Sequence, residues 1–241
     1  MFESTPHLAP IVILMLLGAV LLCALGAILL VVAALFRSKR LAKAAGVGTL
    51  IVVSCYFLML FAASLTSREK VLPPGGQKYF CEIDCHIAYS VAGVQIVPAV
   101  GPESHQSVAN GQFVIVGLKV WFDPSTISPR RGDGPLTPNA RRVVLVDDSG
   151  SVYRNSPVAE ASLQSSIGQE MTLRQALRPG ESYLRHLVFD VPKRASGLRL
   201  LITEDDPETH VIIGHENSLL HAKIFLGLSP APTLSSVNKS L

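Results

Sequence analysis

The sequence is short of charge. Only 16% of its 241 residues are Asp, Glu, Lys or Arg, against about a quarter in an ordinary soluble domain. Hydrophobic residues make up 49%, and the mean hydropathy is +0.39. From residue 68 onward the chain has no excess of either sign, since it carries 17 basic and 17 acidic residues. A neutral domain excludes nucleic-acid binding through a basic surface, although the pI is about 8.7.

Several catalytic signatures are also missing. No G-x-S-x-G stretch offers a serine nucleophile, and the glycine pairs lack the lysine and the strand-to-helix context of a phosphate-binding loop. His215 and His221 are six residues apart, which is about 240° around a helix. The H-E-x-x-H motif of zinc proteases instead needs two histidines on one helix face. We therefore predict that the protein is not an enzyme.

Two long uncharged runs dominate the first 65 residues. The runs at 9–36 and 44–65 both reach the roughly 20 apolar residues that a helix needs to cross a bilayer. All basic residues of this region lie between the two runs: Arg37, Lys39, Arg40 and Lys43. The positive-inside rule puts this turn in the cytoplasm. Both termini and the rest of the chain are then predicted to lie outside it, at a bacterial inner membrane or a plasma membrane.

Two alternatives for these runs fit less well. A cleaved signal peptide would need a positive N-terminus and a shorter apolar core, whereas MFESTPHLAP has no Lys or Arg. Lipidation of Cys55 would need a polar linker after the cysteine, but the apolar run continues there. We therefore predict a transmembrane helical hairpin over residues 1–66, with membrane-buried thiols at Cys23 and Cys55.

The remaining chain has the pattern of an all-β domain. A polar linker with a Pro-Pro-Gly-Gly core covers 67–78, and residues 79–91 alternate with the period of a half-buried strand. Further strand-like runs cover residues 112–122, 142–146, 152–153, 182–191, 198–203 and 222–228. Many short strands between turns predict an antiparallel β-sandwich over 79–228, with one short helix within 163–177. The last residues, 229–241, have the composition of a disordered tail.

Three stretches of this domain resemble one known family. GQFVIVGLKVWF, LVDDSGSVYRN and LRPGESYLRHLVFDVP give a long hydrophobic strand, a D-x-x-G-x-x-Y hairpin, and a P-G turn before a V-F-D-V-P strand. This order is similar to the immunoglobulin-like domain of unknown function found in bacterial lipoproteins and membrane-anchored surface proteins. The resemblance covers roughly residues 79–228. It implies an immunoglobulin-like fold and an extracytoplasmic location, but no reaction.

The segment Cys81-Glu82-Ile83-Asp84-Cys85-His86 is the local feature that most suggests chemistry. Two thiols and an imidazole suit copper or zinc, and His215 or His221 could add a further ligand. A C-x3-C disulfide is a second interpretation, because the predicted compartment is oxidising. In a regular strand the two cysteines would lie ~13 Å apart, too far to bridge or to share a metal. Core thiols are therefore the third interpretation.

Two functions follow from these patterns. The first is a membrane-anchored extracytoplasmic accessory or interaction protein whose immunoglobulin-like domain contacts an unidentified protein, with no catalysis and no cofactor. The alternative is a copper or zinc handling or redox accessory protein, whose ligands would come from Cys81, Cys85, His86, His215 and His221. In both, the hairpin's partner is the lipid bilayer, and nucleic acid is not a partner. The state of the two cysteines discriminates between them.

Overall fold

The computed structural model of the chain describes residues 9–80, 86–128, 130–204 and 206–228. The described residues fall into two compact units. The helical unit comprises residues 9–69 together with the segment Asp206–Lys223. The two-sheet unit comprises the described residues of 70–204 and of 224–228. The chain therefore leaves the two-sheet unit once, contributes a segment to the helical unit, and returns.

Helix α1 (Ala9–Leu35) and helix α2 (Lys39–Leu65) cover the two apolar runs. Both are long and apolar enough to cross a membrane, with mean hydropathies of 3.0 and 2.1 in their most apolar stretches. The helices pack against each other, and a Cβ at Gly26 would overlap Thr49 Oγ1. Gly26 therefore permits the close approach of α1 and α2.

Helix α2 begins at Lys39, five residues before the predicted start at residue 44. Ser38 is its N-cap, and Ser38 Oγ accepts the backbone N–H of Leu41 at 3.4 Å. The prediction placed the basic residues in a loop because charge ended the apolar run. The capping serine instead lets the helix continue through Arg40 and Lys43, which leaves a turn of only residues 36–38.

Among the described residues, nine strands form two sheets. In chain order the strands are β1 (Lys70–Leu72), β2 (Lys78–Phe80), β3 (Ile87–Val100), β4 (Ser107–Phe122), β5 (Arg141–Val146), β6 (Val152–Arg154), β7 (Ser182–Val191), β8 (Arg199–Glu204) and β9 (Ile224–Gly227). The first sheet has the order β1-β9-β8-β5-β6, and the second has the order β2-β3-β4-β7. All neighbours are antiparallel except β1 and β9. Strand β1 lies in the stretch that the sequence predicted as linker.

One apolar core joins the two sheets. Alternate residues of β4, such as Val116 and Leu118, are fully buried and share a cluster with Leu145 of β5 and Leu200 of β8. Burying a side chain of this size contributes roughly 1.5–3 kcal/mol. Two apolar helices followed by a mostly antiparallel β-domain are thus confirmed.

Helix α3 (Pro157–Ile167) covers part of the outer face of the second sheet. It begins at the N-cap Ser156, with proline in the first turn, and ends at Gly168, whose φ is 93°. Ala159 packs on Phe113 and Ile115 of β4, on the face opposite the main core. The helix predicted within 163–177 overlaps only the second half of α3, because the Ser-Pro start signal was not used.

The prediction of a single strand over residues 79–91 is wrong. Strands β2 and β3 are antiparallel neighbours with Phe80 opposite Ile87, so the chain reverses between them. The core-facing positions change phase across the reversal, since Phe80 and Ile87 both lie in the main core although they are seven residues apart. The apolar Tyr79, which is exposed, fits the alternation of the residues from Ile87 onward, so the pattern did not show this change.

Candidate functional site

Cys81 and Cys85, the two cysteines of the predicted metal or disulfide site, lie outside the described residues. Among the described residues, no group of three or more His, Cys, Asp and Glu side chains could hold a metal ion. The metal, disulfide and core-thiol interpretations of this segment therefore all remain predictions.

His86, the predicted ligand next to this segment, is buried in the two-sheet unit. Its imidazole stacks on Phe122, with ring centroids 5.5 Å apart and an angle of 11°. Nδ1 donates to Thr126 Oγ1 at 2.6 Å, since that hydroxyl itself donates to the carbonyl of Asp123 at 2.9 Å. The ring is thus fixed by contacts on its face and at one nitrogen.

The carboxylate of Asp123 lies beside this histidine. Burial alone would raise the pKa of Asp123, but hydrogen bonds from Ser125 and Tyr79 hold it below its ordinary value. Burial, together with the hydrogen bond to Asp123, raises the pKa of Tyr79 to about 12. Asp123, which directly follows β4, is therefore ionised, and its carboxylate oxygens accept hydrogen bonds from Tyr79 and Ser125.

The other two predicted ligands, His215 and His221, lie in the helical unit. His215 Nδ1 accepts the backbone N–H of Asn217 at 3.0 Å, and His221 Nδ1 donates to the carbonyl of Ala222 at 2.8 Å. Each imidazole thus uses one nitrogen to hold its own turn.

The D-x-x-G-x-x-Y stretch forms the hairpin between β5 and β6. Asp147 Oδ1 accepts from Ser149 Oγ at 2.6 Å and from the N–H of Ser151 at 2.9 Å, while Oδ2 accepts from Tyr153 at 2.7 Å. These hydrogen bonds, Ser149 foremost, lower the pKa of Asp147 to about 2. Gly150 supplies the positive φ of 80° that the turn needs. The motif therefore encodes a turn.

A groove opens on the outer face of the second sheet, beside the area that α3 covers. Its floor is the backbone of Gly93 and Gly117, which lie opposite each other on β3 and β4. Gly117 in turn lies opposite His186 of β7. The cavity has a volume of about 160 Å³ and is also lined by Leu184, which is 42% exposed. Two neighbouring strands without side chains thus leave a depression with an imidazole at its edge.

Glu170 orients this imidazole. Its Oε1 accepts from His186 Nδ1 at 2.5 Å, and its Oε2 accepts the backbone N–H of His186 at 2.8 Å. A carboxylate at Nδ1 keeps the proton on that nitrogen, so Nε2 of the neutral ring is the acceptor. Nε2 lies over Gly117, where a Cβ would be 3.5 Å away, and has no hydrogen-bond partner among the described residues. The groove therefore offers one directed acceptor in a mostly apolar lining.

A second layer of charges fixes Glu170. Arg185 Nη1 lies 3.6 Å from Glu170 Oε2, and Arg185 Nη2 lies 2.6 Å from Glu160 Oε2. Asn155 donates to Glu160 Oε1 at 2.8 Å. The carboxylates of Glu160 and Glu170 are only 8% and 14% exposed. The network joins Glu160 of α3 to Arg185 of the edge strand β7, and Arg185 also contacts Glu170 beside the groove.

The sequence analysis missed this groove. A glycine within a strand indicates a close approach or a missing side chain, and Gly117 inside GQFVIVGLKVWF carried that signal. The partner of His186 carried none, because Glu170 is sixteen residues away with a turn-rich segment between them.

No family model matches this chain, and no curated protein is significantly similar to it. A crystal structure of a conserved hypothetical protein from Bacillus anthracis is similar over 55% of this chain and 88% of that chain. The identity is 17% and the TM-score is 0.41. At that score the likeness carries no argument about function.

Proposed function

We propose that this chain is a membrane-anchored extracytoplasmic accessory protein that presents its two-sheet unit to a protein partner and catalyses no reaction. Helices α1 and α2 form the anchor. Their turn and the first turns of α2 carry all the Lys and Arg residues of the first 67, which supports a cytoplasmic turn by the positive-inside rule. Both ends of the hairpin then face away from the cytoplasm, at a bacterial inner membrane or a plasma membrane.

We also propose that the two-sheet unit is immunoglobulin-like. Two mostly antiparallel sheets with one shared core support this assignment. The stretches that resemble the family form turns between strands. The Asp147 hairpin joins β5 to β6, and Gly180, with a φ of 84°, turns the chain before β7. Asp190 of the V-F-D-V-P stretch accepts the backbone N–H groups of Asn110 and Gly111.

The groove over Gly93 and Gly117 carries the interaction proposal. A cavity of roughly 150 Å³ holds a group the size of benzene, and the groove has about 160 Å³. Its imidazole acceptor is held in place before any partner arrives, so little side-chain entropy is lost on binding. The groove therefore suits a ring-sized side chain with a hydrogen-bond donor, such as a partner's tyrosine.

The test introduces a photo-crosslinking amino acid at Lys119 of the full chain in its native membrane. Lys119 is exposed and is the next residue of β4 on the same face as Gly117. We expect a specific adduct that Gly117→Leu reduces at least about tenfold, because the leucine fills the cavity. A Cβ at Gly117 would make only ordinary contacts, 3.5 Å to His186 Nε2 and 3.6 Å to the carbonyl of Gly93. The variant should therefore still fold.

Two controls sharpen this test. Gly117→Ala adds one methyl group and should keep most of the adduct, while a crosslinker at the exposed Val152 of β6 should not give the same adduct. An adduct at Lys119 that persists unchanged in Gly117→Leu, or the absence of any adduct, would reject the groove as the partner site.

A further inference from the structure

The segment Asp206–Lys223, which joins β8 to β9, contacts the side of the helical hairpin rather than its tip. The hydroxyl of Tyr56 in α2 donates to the carbonyl of Val211 at 2.6 Å. Ile213 is 9% exposed and lies in one cluster with Val12 of α1 and Leu60 of α2. The segment therefore packs on both helices.

These contacts fix how far the segment reaches along the hairpin. Tyr56 lies nine residues before the end of α2 at Leu65, which is about 13 Å along the helix axis. At the other end of the segment, the N–H of Ala222 donates to Ser67 Oγ at 2.7 Å, just beyond the end of α2. The segment thus descends beside the helices by roughly half the hydrocarbon thickness of a bilayer and returns.

Two leucines lie on the returning part. Ser218 Oγ donates to the carbonyl of Ile212, which ties Ser218 to the deep end of the segment, whereas Ala222 is tied to the helix end. Leu219 and Leu220 lie between these two anchors and are 47% and 71% exposed. They are therefore uncovered apolar side chains at the depth of the last turns of α2.

The backbone holds Leu220 in a costly conformation. Its φ is 64°, the left-handed region that glycine or asparagine adopts more readily. Outside glycine, such a conformation costs on the order of 1–3 kcal/mol. Burial of the outward-facing leucine in an apolar environment would offset this cost.

Several polar groups of the segment are buried and bonded within it, although His210 is exposed. Asn217 Nδ2 donates to Thr209 Oγ1 at 3.2 Å, and Lys223 Nζ donates to the carbonyl of Glu216 at 2.5 Å. Asn217 and Thr209 are both buried. Non-helical backbone is tolerated at membrane depth only where protein satisfies its polar groups, and this segment meets that condition to a large extent.

From these observations we infer that Asp206–Lys223 is a re-entrant segment embedded in the extracytoplasmic leaflet, with Leu219 and Leu220 inserted among the acyl chains of the lipid. The inference rests on the proposed function, since it needs α1 and α2 to span the bilayer. It deepens that proposal, because the anchor then comprises two helices and a membrane-embedded segment from the other end of the chain.

The test uses single-tryptophan variants of the full chain. Trp121 is the natural tryptophan, and Trp121→Phe removes it. On that background, Leu220→Trp is reconstituted into phosphatidylcholine vesicles with or without brominated acyl chains. Leu58→Trp, at a 68% exposed position of α2, is the reference for lipid, and Val152→Trp, at a 55% exposed position of β6, is the reference for water.

We expect the emission of Leu220→Trp to be blue-shifted and quenched by brominated lipid, as for Leu58→Trp, whereas aqueous iodide quenches only Val152→Trp. Leu219→Trp should follow Leu220→Trp, and it leaves the backbone at position 220 unchanged if that variant folds poorly. If iodide quenches both leucine positions while lipid quenches Leu58→Trp, the re-entrant segment is rejected and the spanning hairpin stands. If lipid quenches none of them, the membrane anchor itself is rejected, and the inference falls with it.

Discussion

The helical unit and the two-sheet unit distribute their large apolar side chains in opposite ways. In the helices, Leu21 is 71% exposed and Leu58 is 68% exposed. In the two-sheet unit, Tyr89, Phe122 and Phe189 are fully buried. The two-sheet unit thus encloses its large apolar side chains in its own core, whereas α1 and α2 leave many of theirs on the surface. Exposed apolar surface of this extent on a helix is typical of contact with lipid.

The largest expected effect comes from opening the core of the two-sheet unit. Phe189→Ala should lower the free energy of unfolding by about 3–5 kcal/mol, because it removes a fully buried ring and leaves a cavity. Leu58→Ala, the matched change in α2, should cost far less in detergent or lipid, since its side chain is outside any protein core. Chemical denaturation of the reconstituted full chain measures both, with Trp121 fluorescence reporting the two-sheet unit and far-ultraviolet circular dichroism reporting the helices. Equal losses would mean that α2 is packed like a core helix.

Introducing an arginine at an exposed apolar position of each unit tests the same contrast. Leu21→Arg, near the middle of α1, should cost about 2.5–3.5 kcal/mol of membrane insertion. Val152→Arg, at a 55% exposed position of β6, should change neither insertion nor stability by more than about 0.5 kcal/mol. Carbonate extraction of membranes that contain each variant measures the inserted fraction. Normal insertion of Leu21→Arg would argue against a lipid-facing α1.

A smaller effect is expected at the Asp147 hairpin of the two-sheet unit. The pKa of Asp147 is lowered to about 2 from an ordinary value near 3.8. The ionised carboxylate therefore stabilises the fold above about pH 4, and this contribution is lost as the pH falls towards 2. Asp147→Asn should melt at a lower temperature than the wild type at pH 6, and the gap should close between pH 4 and pH 2.

The control for this prediction is Asp133→Asn, which removes a carboxylate from an exposed loop. It gives the effect of deleting one negative charge without the hydrogen bonds of a turn. A difference between the wild type and Asp147→Asn that stays constant from pH 6 to pH 2 would show that the carboxylate's charge is not what holds the hairpin.

The sequence predicted the helices and strands better than the pairing between strands. Both long helices were found because uninterrupted apolar composition is visible residue by residue, and only the start of α2 moved, to the cap at Ser38. Most strands were found from alternation. The reversal between Phe80 and Ile87 was missed, because the apolar Tyr79 fits the alternation that runs from Ile87 onward, although Phe80 is the residue that lies in the core.

The candidate groove depends on information that a linear pattern does not hold. Gly93 and Gly117 become neighbours only through the register of β3 and β4, which includes an irregularity between Val91 and Gly93. The pairing of Glu170 with His186 requires the path of the chain from α3 to β7. The sequence shows each glycine within a strand, but only the strand pairing places Gly93 opposite Gly117.

The cysteines extend the comparison between the two units, with the smallest expected change. Cys23 and Cys55, in the helices, are free thiols. For Cys81 and Cys85 in the two-sheet unit, the geometric objection to a disulfide assumed one straight strand through residues 79–91. The antiparallel pairing of Phe80 with Ile87 removes that assumption. The disulfide interpretation therefore stands beside the metal and core-thiol interpretations, and all three remain predictions.

Two measurements on the full chain purified without chelator decide between the three interpretations: metal analysis of the native protein, and intact mass of the denatured chain alkylated before and after reduction. A disulfide predicts two alkylated thiols before reduction and four after it, with no bound metal. Because so short a loop restricts the unfolded chain little, Cys81→Ser should cost much less stability than Phe189→Ala. Four thiols before reduction would reject the bond. If copper or zinc is also bound, and is lost in Cys81→Ser, the two-sheet unit handles a metal, and the search for a partner turns to redox proteins.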